Sequence, residues 1–79
     1  MTTEEAKVFI EEQIIPVAKV STPQAICTLC EDLEALQIAL ASGNSVLVFA
    51  MANYISQIEG LTNSIEIAQK ITAQVFKLN

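Results

Sequence analysis

The chain has 79 residues, of which 52% are hydrophobic, with a net charge of −5 and no histidine, arginine or tryptophan. The missing side chains remove the commonest general base, the bidentate anion clamp and a main class of metal ligand, and the acidic balance repels phosphate backbones. These absences argue against an enzyme and against DNA or RNA as partner; at this length one small domain is expected, and its apolar excess predicts that a second chain covers part of the surface.

Residues 1–79 read as one all-α domain, an antiparallel four-helix bundle with short loops and helices over about 3–20, 23–42, 45–59 and 63–78. The first helix opens on Thr2 and Glu5, the spacing of a capping box in which each side chain meets the other's free amide. Ala6, Phe9, Ile10, Ile14 and Val17 then share one face. Pro16 has no amide hydrogen and crowds the carbonyl one turn back, which predicts a kink near Ile15 and a short continuation to Val20.

In the second helix Thr22 serves as cap and Pro23 takes the first helical position, where its fixed φ already suits the helix. Ile26, Leu29, Leu33, Leu36 and Leu40 recur at steps of three and four, the seam of a left-handed bundle, and Gly43 is the left-handed stop. The third helix starts at Asn44 or Ser45 and runs to Gly60, with Leu47, Met51, Tyr54, Ile55 and Ile58 as its inner stripe. The Tyr54 hydroxyl is expected to reach an edge and find a partner there. The fourth helix takes Asn63 with Glu66, or Thr62, as its cap, with Leu61 as a hydrophobic staple. Its inner face is expected to be Ile65, Ala68, Ile71, Val75 and Leu78, joined by Thr72, while Lys70 and Lys77 suit its negative C-terminal end.

The longest uncharged run, residues 35–58, is broken by Ser42-Gly43-Asn44-Ser45 and by Asn53. A polar break in mid-bilayer would leave backbone groups unsatisfied, so two helices meeting at a turn are expected rather than a membrane span. The opening Met1-Thr2-Thr3-Glu4-Glu5 is acidic where a secretory leader needs a basic start, which predicts a cytoplasmic location.

Cys27 and Cys30 form the one motif-like pair. A redox pair belongs at a helix N-terminus in an α/β unit, whereas this pair lies more than a turn inside a helix with no strand before it. Zinc wants four ligands, so only two chains sharing thiolates across a twofold axis would serve. The plain alternative is structural: Cys30 beside Leu33 as a small core hydrophobe, Cys27 on the flank near Glu31. The acidic groups Glu4-Glu5, Glu11-Glu12 and Glu31-Asp32 with Glu34 sit at outward positions, and adjacent helical residues diverge by about 100°, so they read as a solvated face rather than a converging acid and base. Ser42, Ser45, Thr62 and Ser64 cluster at helix boundaries, where capping accounts for them. No glycine-rich loop could cradle phosphate, no Asp-Ser-Leu string offers a carrier-protein attachment site, and neither cofactor nor small-molecule substrate is implied.

The remaining candidate is the far side of the third helix: Val46, Phe49 and Ala52 beside Asn53 and Ser56. Exposed apolar surface with a polar rim marks a contact site; the alternative is a central third helix that buries Phe49. The reading is therefore a non-enzymatic regulatory module that self-associates through the third helix, as a homodimer, and binds a protein partner attracted to the acidic rims of the first two helices. A thiol- or metal-linked regulator using Cys27 and Cys30 is one alternative. An immunity or anti-defence type inhibitor is another, since small acidic helical bundles occur among such proteins, although no residue string here identifies a family.

Overall fold

The computed structural model describes residues 1–77, and Leu78, expected on the inner face of the fourth helix, lies outside the described residues. The chain enters α1, Thr3–Phe9, through the expected capping box: the Thr2 amide donates to Glu5 Oε1 at 2.8 Å and the Glu5 amide to Thr2 Oγ1 at 3.1 Å. The helical path then changes its winding. Ile10–Ile14 form a π-wound turn in which the Ile15 amide bonds the carbonyl of Ile10, and Ile15–Val17 a 3-10 turn. Pro16 cannot donate to Glu12, and its ring needs room against that carbonyl; a widened turn just before it supplies the room.

The helical path does not reach Val20. Ala18 turns extended, and Val20 pairs with Leu61 in a single antiparallel bridge. The loops around these two residues satisfy one another's backbone groups, and this displaces the extra helical turn. Ser21 donates to the Gly60 carbonyl from its amide at 2.7 Å, and Thr62 donates to the Lys19 carbonyl from its amide at 2.8 Å. Asn63 completes this clasp: its side-chain oxygen accepts from the Lys19 amide at 2.9 Å, and its nitrogen donates to the Val17 carbonyl at 2.8 Å. Asn63 is thereby spent on a distant segment and makes no side-chain cap for the helix that follows it, and the Thr62 hydroxyl is likewise turned to Lys19.

Helix α2, Pro23–Ser42, starts on Thr22, whose hydroxyl accepts from the Ala25 amide, and stops at Gly43 with φ +71°. Its buried side is Ala25, Leu29, Leu33, Leu36, Ala39 and Leu40; Ile26, placed by spacing on the inner stripe, is exposed. Helix α3, Ser45–Ser56, is capped by Asn44, which accepts from the Leu47 amide. It ends a turn before Gly60 because the Ser56 hydroxyl takes the Asn53 carbonyl at 2.6 Å and the next bonds close tighter turns, Gln57 to Tyr54 and Ile58 to Ile55. Helix α4 is Ser64–Val75.

No strand forms among the described residues, and four α-helices pack round one core. Each helix packs on the next in sequence, and α4 returns to the π-wound turn that follows α1. Leu36, Leu40, Val48, Ile55, Ile67 and Ile71 are fully buried where these elements meet. A side chain at Gly60 would strain the clasp: the residue holds φ +90°, and a Cβ there would lie 2.7 Å from Thr22 Oγ1 and 2.9 Å from Ala25 Cβ. No described helix is long and apolar enough to cross a membrane.

Candidate functional site

Helix α3 has no charge from Ser45 to Ser56, so polarity says little about which side faces the core. Packing chooses Val48, Ala52 and Ile55 as the buried stripe. Leu47 and Tyr54, expected inside, face outward, and Tyr54 is 63% exposed. The reason is steric. Val48, Ala52 and Ile55 are smaller than Leu47 and Tyr54 or branched close to the backbone, and this is the side that α2 and α4 pack against.

Of the five side chains expected to form a contact face, Val46, Phe49 and Asn53 are exposed, Ser56 is half-buried and Ala52 is buried in the core. Leu47 and Tyr54 take the place of Ala52 on the outside. At 100° per residue, Val46, Leu47, Phe49, Ala50, Asn53 and Tyr54 fall on one side of the helix, so the exposed face is wider and more apolar than the sequence spacing implied. Val46 is 73% exposed and Phe49 46%. The four large side chains together expose on the order of 400 Å², within the range of the largest apolar patch on a typical monomer.

Both thiols, Cys27 and Cys30, are exposed, so Cys30 is not the core filler that its spacing implied. It lies one position round the helix from Leu33, on the lip of a groove. One hollow of about 230 Å³ lies between Ile10, Glu11 and Ile15 of the first helical stretch and Cys30, Leu33 and Glu34 of α2. A second hollow continues from Ile15, Cys30 and Leu33 towards Ala18, Val20 and Ile26, and a third from Glu34 and Gln37 towards Ile38 and Ala41. The shared lining residues set the three hollows end to end along α2, as a segmented groove. The spacing puts Ile26 on the core seam and gives Ile15 and Ile38 no role, whereas all three are exposed; apolar character off the seam at Ile15 and Ile38 was the available signal.

The charges are divided unevenly. Seven of the nine carboxylates and two of the four lysines lie in residues 1–42, so the whole net charge of −5 belongs to the side built from the first helical stretch and α2. Burial, with Glu31 alongside, raises the Asp32 carboxyl above its ordinary range. The Thr2 amide, assisted by the Thr2 hydroxyl, holds the Glu5 carboxyl below it. No three His, Cys, Asp or Glu side chains converge as metal ligands among the described residues.

No protein-family model matches this sequence, and no curated protein or solved structure is detectably similar to it. The functional reading therefore rests on the surfaces themselves.

Proposed function

We propose that this chain is a non-enzymatic protein-interaction module that self-associates through the outer face of α3, as a homodimer, and binds a protein partner. The observation that supports it is the charge-free face of Val46, Leu47, Phe49 and Tyr54, all exposed on one helix. A symmetric contact lets identical chains hide one shared apolar patch, and a face without charge meets its own copy without repulsion. A stable interface needs about 800 Å² from each partner, so α3 forms its centre and the polar positions round it, Asn53 among them, form the rim. As scaffold we infer an antiparallel bundle bent at Pro16; the tight connection at Gly43 and the widened turn before Pro16 support that arrangement.

Phe49→Asp tests the reading, because a charge left unpaired in an apolar contact costs several kcal/mol, about as much as a small interface supplies. Light scattering should report a dimer for the unaltered protein and a monomer for the variant, with helical circular dichroism retained. Leu33→Asp, a change in the core, should unfold the chain and shows what a core lesion looks like. A strictly monomeric unaltered protein at micromolar concentration would remove self-association.

A second reading, thiol- or metal-linked regulation through Cys27 and Cys30, draws support from the exposure of both thiols on one side of α2. A metal would have to be shared between the thiolates of two copies. Native mass spectrometry with and without chelator decides it: bound zinc supports this reading, and an unchanged mass under chelation and oxidation leaves the cysteines structural.

A further inference from the structure

We infer that the groove between the first helical stretch and α2 is the seat of the protein partner, and that the partner presents a basic amphipathic helix. This inference rests on the proposed interaction function but on a different surface from the self-association face. On α2, Ile26, Cys30, Leu33, Gln37 and Ala41 recur at steps of four and three, so they form one stripe beside the first helical stretch. From Ile26 to Ala41 the stripe is about 22 Å long at 1.5 Å per residue, the length of about four turns of a bound helix. Ile15 stands 54% exposed on the opposite wall. An apolar floor of this kind takes the anchors of an amphipathic helix at positions three and four apart.

Charge selects the occupant. Glu11 lines one wall and Glu34 the other, and the half of the molecule that contains the groove carries all of the net charge of −5. Lys7 is the one cation in the lining of the central hollow. A second copy would bring carboxylates against carboxylates, whereas a helix with Leu-like anchors and lysines or arginines on its flanks would be attracted to both walls. The same acidity that makes nucleic acid a poor partner thus makes a basic helix a good one.

The two thiols allow the test to be made on the intact protein. Cys30 lines the groove and Cys27 lies outside its lining, although both are exposed. The probe is a synthetic helix of about 14 residues, four turns of leucine and lysine with the leucines three and four apart, compared with the same pattern of leucine and glutamate. Saturating leucine–lysine peptide should slow alkylation of Cys30 at least about tenfold while slowing Cys27 less, and the leucine–glutamate peptide should protect neither. Glu11→Lys with Glu34→Lys, both at exposed positions, should weaken the leucine–lysine peptide about fivefold or more and admit the leucine–glutamate one. Ile15→Gln should weaken the leucine–lysine peptide without loss of helical circular dichroism. Equal protection by the two peptides, unaltered binding after the double charge reversal, or equal protection of Cys27 and Cys30 would overturn the inference. So would protection of Cys30 that grows with protein concentration in the absence of peptide, which would place a second copy in the groove. The Phe49→Asp chain carries the same experiment without the α3 contact, so a failure of self-association and a failure of the groove register separately.

Discussion

Helices α2 and α3 bury equivalent stripes of small and aliphatic residues but leave opposite chemistry outside. α2 exposes Glu31 and Glu34 beside Ile26, Cys30 and Ile38, whereas α3 exposes Val46, Leu47, Phe49 and Tyr54 with no charge at all. The same four-helix frame therefore carries one exposed apolar surface without charge and one flanked by carboxylates. On the proposed reading, burial of apolar area would supply affinity on both sides and charge would select the occupant.

The comparison depends first on which side of α3 is core, and adjacent residues break it most directly. Ile55 is fully buried and Tyr54 largely exposed. Ile55→Ala should cost about 2–5 kcal/mol in urea unfolding, the transfer and cavity terms of an aliphatic core truncation. Tyr54→Ala should stay within about 0.5 kcal/mol on the monomer, and equal losses would return Tyr54 to the core.

The glycines that bound α3 sharpen it at a smaller scale. Both hold positive φ, but a Cβ at Gly43 meets nothing within 4 Å, while one at Gly60 runs into Thr22 and Ala25 at the start of α2. Gly43→Ala should cost about 1 kcal/mol for the left-handed backbone alone. Gly60→Ala should cost about 2–3 kcal/mol, since strain is added to a clash with the clasp. Urea midpoints in which the two variants match would mean that the clasp yields.

The smallest effects are those of pH, and they fall on the side of the molecule that contains α2, because α3 holds no carboxylate. The Glu5 carboxyl is held low by its bonds to Thr2, so the stability it adds is present above its unfolded value and is lost as pH falls through its folded one. Asp32 is raised by burial, then by Glu31, so it works in the opposite direction: its cost is present near neutral pH and is relieved as pH falls through the raised value. In urea unfolding across the acid range, Glu5→Gln should lie below the unaltered protein at neutral pH and Asp32→Asn above it, both converging on it in acid. Parallel curves would mean that neither shift is coupled to folding.

Reading of the sequence worked wherever polar and apolar residues stand in contrast. The capping box of Thr2 and Glu5, the Thr22 and Asn44 caps and the Gly43 stop are local, since each bond closes within four residues and needs no knowledge of the rest of the fold. Leu29, Leu33, Leu36 and Leu40 were legible as core because Glu31 and Glu34 mark the other side of α2. In α4 Ile71 and Val75 are buried as their spacing implied, but the first turn differs: Ile67 is buried where Ile65 was expected, and Ile65 is exposed. In α3 no charge fixed the rotation at all, and the outward face came out as Leu47 and Tyr54 with Val46 and Phe49.

The sequence by itself thus determined that the chain is helical, where α2 begins and ends, and which side of α2 is buried, because caps, glycine stops and charge periodicity act over one or two turns. Only the tertiary structure decided the rotation of α3, the end of the first helical stretch at Val17, the use of Asn63 as a link to Val17 and Lys19, and the groove with Cys30 on its lip. The Asn63 link and the groove join groups about 15 to 46 positions apart, and competition of that kind for space or for a hydrogen bond is settled by packing rather than by any local propensity.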